Sequence, residues 1–149
     1  MNDLEFMREA LREAEIAYAL GEVPVGAVIV RNGEIVSRGH NTRETEYRAT
    51  AHAEISAIEA ACRALHGWRL EDCTLYVTLE PCPMCAGAIV NARIPRVVFG
   101  AFDASMGAMG SVLQITKYPL PARPVVQGGI LEESCGALLS RFFAERRAQ

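Results

Sequence analysis

Leu4, Met7, Leu11, Ala14 and Tyr18 recur at the three- and four-residue spacing of one helix face, and Asn2 with Glu5 has the form of a capping pair. This predicts an opening amphipathic helix that ends near Gly21. The period then changes. Val23 to Val30 is rich in β-branched residues, Asn32-Gly33 is a two-residue hairpin turn, and Glu34 to Gly39 is the returning strand. A polar loop from Asn41 to Thr50 leads into a second helix with Ile55, Ile58, Cys62 and Leu65 on one side, closed by His66-Gly67. Thr74 to Leu79 reads as a buried strand, Pro83 to Ala92 as a short helix stopped before Pro95, and Val97 to Phe99 as a strand. Together these make a βαβ unit and so a parallel pair.

Asp103 to Ser111, rich in Gly, Ala and Met, is expected to be an irregular loop. Three prolines between Tyr118 and Pro124 exclude regular helix or a central strand, Val125-Val126 fits a short edge strand, and a final helix runs from Leu131 with Leu138, Leu139, Phe142 and Phe143. There are no repeats, low-complexity tracts or linkers. The sum predicts an α/β fold, a three-layer α/β/α sandwich with a mixed central sheet of about five strands, residues 1–149 forming one domain.

Composition narrows the function. At 149 residues with half of them apolar, the chain can bury a substantial core. No stretch approaches the run of about 20 apolar residues that a membrane helix needs, and the N-terminus lacks a basic segment followed by an apolar one, so a cytoplasmic protein without a membrane partner is expected. Five cysteines, an odd number, in such a setting favour metal or core roles over disulfides. A net charge of −3 argues against sequence-blind nucleic-acid binding over a broad basic surface, while leaving room for a small basic patch.

Two motifs bear chemistry: His52-Ala53-Glu54 at the start of the second helix, and Pro81-Cys82-Pro83-Met84-Cys85 where a strand hands over to a helix. Positions two apart diverge in a helix body, so His52 and Glu54 share a pocket only in the first turn. Cys82 and Cys85 are three apart and therefore neighbours, Pro83 suits the first helical position, and the helix N-terminus favours thiolates. His52, Cys82 and Cys85 make a three-ligand zinc set of the catalytic type, with the fourth position left for water. Zinc brings the pKa of that water toward neutrality. Glu54 is then the proton carrier, base first and acid afterwards, with ammonia as product. A structural zinc knuckle would need a fourth ligand at short spacing, and none is positioned. Cys62, Cys73, Cys135, His40 and His66 stand singly and are assigned to packing or surface.

His-x-Glu with Pro-Cys-x-x-Cys resembles the signature of the cytidine deaminase superfamily. The likeness extends through Pro24-Val25-Gly26-Ala27-Val28, Thr50-Ala51-His52-Ala53-Glu54-Ile55, Leu75-Tyr76-Val77-Thr78-Leu79-Glu80-Pro81-Cys82, Met84-Cys85-Ala86-Gly87-Ala88-Ile89 and Val97-Val98-Phe99-Gly100-Ala101, which resemble the bacterial tRNA-specific adenosine deaminases. That resemblance implies a homodimer with one Zn2+ per subunit. It implies adenosine-to-inosine conversion at the first anticodon position of an arginine tRNA, the base flipped into the pocket. It further implies that Asn41 meets the flipped nucleotide, that Asp103 lies near its sugar, that Val28 and Ala53 line the base, and that Phe143 and Arg146 of the final helix contact the anticodon loop. The chain departs from the pattern at Ser105, where the family usually has Lys, and at Pro121-Ala122, where it usually has Asn-His. Two other functions compete: a deaminase of a free base such as guanine or cytosine, and a zinc-stabilised RNA-binding subunit without catalysis, against which the retention of Glu54 argues.

Overall fold

The computed structural model describes residues 1–149. Helix α1 spans Asp3–Ala19, with the Asn2 side chain accepting from the Glu5 N–H at its start. Strands β1 (Gly26–Arg31) and β2 (Glu34–His40) form the hairpin, joined at Asn32 and Gly33, both at positive φ as the tight turn requires. A short helix α2 (Arg43–Glu46) lies in the polar loop expected from Asn41 to Thr50, followed by α3 (Ala53–Ala64), β3 (Cys73–Leu79), α4 (Pro83–Asn91) and β4 (Arg96–Ala101). A single turn of 3₁₀-helix, Ile115–Lys117, precedes β5 (Val125–Gln127) and α5 (Glu132–Arg147).

The five strands lie in the order β2-β1-β3-β4-β5; β1 is antiparallel to β2 and β3, while β3, β4 and β5 run parallel. The sheet is mixed, as the sequence predicts. One face packs on α3 and α4 through Ala27, Ile29, Leu75, Val77, Val97 and Phe99, and the other on α1 and α5 through Val28, Val30, Tyr76 and Val98. Strand alternation divides the two cores.

The buried face of α1 includes Met7 and Ala14 as predicted, with Leu11 and Tyr18 half-buried at its edge, but it is rotated away from Leu4. Phe6, Met7, Ala10, Ala14 and Ala17 are buried, whereas Leu4 is 44% exposed. Small residues face inward because β1 comes very close: a Cβ on Gly26 would stand 2.1 Å from the Ala10 carbonyl oxygen and 2.3 Å from the Ala14 nitrogen. Gly39 of β2 permits the same approach by α3, with the Ala53 carbonyl oxygen 2.3 Å from where its Cβ would lie. That contact seats the first turn of α3 on the sheet.

Candidate active site

The starts of helices α3 and α4 meet at one point. His52 is the N-cap of α3 and Cys82 the N-cap of α4, each in an extended conformation and each without a capping hydrogen bond from its side chain. Both side chains are therefore free to turn toward one another. Pro83 starts α4, and Cys85 follows within its first turn. His52 Nδ1 lies 3.6 Å from Cys82 Sγ and 3.5 Å from Cys85 Sγ. Tetrahedral zinc with Zn–N of ~2.0 Å and Zn–S of ~2.3 Å holds nitrogen and sulfur ligands about 3.5 Å apart, so the three donor atoms fit the ion. Two thiols and an imidazole are also the donor types that zinc takes. The hydrogen bond from Cys85, with His52 adding to it, pushes Cys82 down to about 4 against the opposing effect of burial. By the same bond Cys85 stays well above the ordinary thiol range, and the contact with Cys82 raises His52.

Glu54 occupies the first turn of α3 and is buried, yet it lines the same cavity as His52 and Cys82. Burial pushes its carboxyl up to about 7, where a group both gives and takes protons near neutral pH. The cavity measures about 370 Å³, within the range of small-molecule sites. Its walls come from three directions. Val23, Val25 and Asn41 stand on one side, Leu79 and Glu80 with Asp103, Ser105 and Met106 on another, and Leu139 and Phe143 of α5 at the rim.

Asn41 is buried; its amide donates to the Val23 carbonyl at 3.2 Å and accepts from the Arg43 N–H at 3.2 Å. One N–H and one lone pair are left for a ligand. Ala53 lines the cavity. Asp103 also lines it, and at the same time folds its own turn, Oδ1 accepting from the Ser105 N–H and hydroxyl and from the Met106 N–H. One expected contact is not there. Val28 faces the other side of the sheet, buried with Phe6 and Met7, because alternation along β1 puts it opposite Ala27 and Ile29; Val25 takes the place beside the cavity. Arg146 donates to the Gly21 carbonyl and lies 4.9 Å over the Phe142 ring, in a separate small cleft with Tyr18. It latches α5 to the end of α1.

Two buried carboxylates that the sequence reading did not single out shape the rim. Glu22 accepts from the N–H groups of Glu44 and Thr45 and from the Thr45 hydroxyl, fixing α2. Glu80 accepts from the N–H groups of Asp103, Met109 and Ser111 and from the Ser111 hydroxyl. A Glu beside the apolar run of a strand, one residue before the metal motif, is the signal that would have found Glu80.

Residues 1–101 match the model of the cytidine and deoxycytidylate deaminase zinc-binding region. The chain belongs to the cytidine and deoxycytidylate deaminase family. As a member it is a zinc-dependent deaminase, a hydrolase, and His52, Cys82 and Cys85 are the residues placed to hold the metal. Its relatives include the tRNA-specific adenosine deaminase of Bacillus subtilis (strain 168), 54% identical over 143 residues, covering 95% of this chain and 89% of the relative. A solved structure from studies of A-to-I editing by tRNA:A34 deaminases at the wobble position of transfer RNA superposes with a TM-score of 0.88 at 43% identity, covering 91% of this chain and 99% of the other. The guanine deaminase of Bacillus subtilis superposes with a TM-score of 0.67 at 36% identity, covering 99% of this chain and 95% of the other. No helix of the chain is long and apolar enough to cross a membrane.

Proposed function

We infer that the chain, acting as one domain over residues 1–149, hydrolyses adenosine to inosine at the first anticodon position of tRNA. The observation that carries the chemistry is the Glu54 carboxylate lining one cavity with His52 and Cys82, beside Cys85. The identity to curated tRNA-specific adenosine deaminases supports the substrate. Bound by His52, Cys82 and Cys85, zinc supplies Lewis-acid activation of the attacking water. Glu54 takes the proton that the water loses, passes it to the ring nitrogen next to the carbon under attack, and carries the second proton to the departing amine. Water is consumed and ammonia leaves. Asn41 orients the nucleotide with the amide valences that the chain leaves free, Ala53 and Val25 flank the base, and Phe143 at 44% exposure offers a ring on which a neighbouring unpaired base stacks. Arg43, exposed at the mouth, is placed to meet phosphate. Arginine tRNA is the expected substrate, the enzyme a homodimer, and the cytoplasm its compartment.

A free base such as guanine is the second reading, favoured by the likeness to the guanine deaminase and by Ser105 and Pro121-Ala122. Ammonia release from an anticodon stem-loop with adenosine at its first anticodon position, measured beside free adenosine, guanine and cytosine, separates the two. Turnover of the loop at least a hundredfold above each free compound (~2.7 kcal/mol of discrimination) is expected. Preferred turnover of guanine or cytosine would transfer the assignment to the free base.

A further inference from the structure

We propose that Glu80 is a positioning residue: its carboxylate clamps the 103–111 loop against the cavity and so sets how tightly RNA is held. This rests on the reading above that RNA is the substrate. Glu80 follows β3 and is 2% exposed. Its oxygens accept from the Asp103 N–H at 3.0 Å, the Met109 N–H at 3.0 Å and the Ser111 N–H at 3.0 Å, and from the Ser111 hydroxyl. The donors span the whole stretch between β4 and the 3₁₀ turn that presents Asp103, Ser105 and Met106 to the cavity. That stretch contains no helix or strand; local backbone bonds such as Gly107 N–H to the Asp103 carbonyl fold its turns, and the Glu80 carboxylate ties its two ends, at Asp103 and at Met109 and Ser111, to one buried point. Only an acceptor-only group can meet such a set, and a carboxylate is one.

Gly107 is built for the same clamp. A Cβ at that position would stand 2.4 Å from Glu80 Cδ and 2.5 Å from each carboxylate oxygen, so the loop closes over the carboxylate only where residue 107 has no side chain. Glu80 is not one of the three zinc-ligand candidates, and its carboxylate is already used by the loop donors. Although Glu80 itself lines the cavity, each of its carboxylate oxygens already accepts two bonds from the loop, so its effect on the reaction passes through the loop. Glu22 holds the facing loop in the same manner, which leaves both sides of the rim anchored on buried carboxylates.

The test compares zinc-loaded wild type with Glu80→Gln on an anticodon stem-loop carrying adenosine at its first anticodon position, together with amide hydrogen exchange. Glutamine replaces one acceptor oxygen by an NH₂ group facing N–H donors. The expected result is a KM raised about tenfold with kcat held within about threefold, unchanged zinc content, and faster exchange confined to residues 103–111. Gly107→Ala should give the same rise, and the double variant should add less than the sum of the two. A KM equal to wild type, or a fall in kcat at constant KM, would overturn the clamp. Should Glu80→Gln fail to fold, Ser111→Ala and Gly107→Ala carry the test, and unchanged KM in both would be contrary. A wild type inert on the stem-loop would instead overturn the substrate reading.

Discussion

Phe142 and Phe143 are neighbours in α5 with opposite surroundings. Phe142 is 5% exposed, with Tyr18 edge-on at 5.6 Å and the Arg146 guanidinium above it, whereas Phe143 is 44% exposed at the rim of the cavity. Truncation should separate them. Phe142→Ala removes a packed ring and should cost about 3–5 kcal/mol, a fall in Tm on the order of 10 °C in thermal unfolding. Phe143→Ala should leave Tm within a few degrees and raise the KM for the stem-loop about tenfold, the value of a lost stacking contact. Equal loss of stability in both would remove Phe143 from the substrate surface. The sequence named the pair; only the placement of α5, latched by Arg146 on Gly21 and Arg141 on the Tyr18 hydroxyl, decides which ring faces out.

At the scale of elements, the site is made by two helix beginnings. Residues in the first turn have N–H groups unused by the helix, and partial positive charge there favours thiolate and carboxylate. Cys82→Ala removes one ligand and should lower zinc per chain to a small fraction of wild type, with a fall in Tm of several degrees because bound metal contributes to folding. Metal content by mass spectrometry checks it; full zinc retention would exclude Cys82 as a ligand. This much was legible in advance, since the His-Ala-Glu and Cys-Pro-Met-Cys spacings need only local geometry. The inward face of α1 was legible in part: Met7 and Ala14 are buried as the periodicity predicts, whereas the inward turn of Ala10 and Ala17 and the exposure of Leu4 depend on the close approach of Gly26 in a distant strand. The 103–111 loop was legible as irregular but not in its shape, which rests on its own backbone turns together with long-range hydrogen bonds to Glu80. Val28 was misplaced for a simpler reason: one step along a strand changes the face.

For the whole molecule, the pairing that ties the N-terminus to the sheet gives a pH signature. Asp3 at the start of α1 takes a two-pronged bond from Arg96 of β4, at 3.0 and 2.7 Å, and one from the Tyr76 hydroxyl at 2.6 Å. The Arg96 bond holds the Asp3 carboxyl below 3.8, although partial burial opposes it. A depressed folded-state value means the contribution is complete well above 3.8 and is lost as pH falls through the folded pKa. Between about pH 5 and pH 3, Asp3→Asn should therefore show a shallower acid loss of Tm than wild type, while being less stable at neutral pH. Parallel acid limbs would mean that the pair contributes nothing to the pH dependence. The net charge of −3 belongs to the same scale: on the proposed RNA substrate, phosphate contact falls to individual basic residues such as Arg43 at the cavity mouth.

Zinc-loaded protein incubated with an unmodified arginine tRNA transcript bearing adenosine at the first anticodon position, then sequenced for inosine beside Glu54→Ala of equal zinc content, is the most direct test of the assigned chemistry and substrate. Inosine at that position alone, abolished in Glu54→Ala, is the predicted result. Inosine formed equally by Glu54→Ala would contradict the proton-carrier role, and none formed by the wild type would contradict the tRNA substrate.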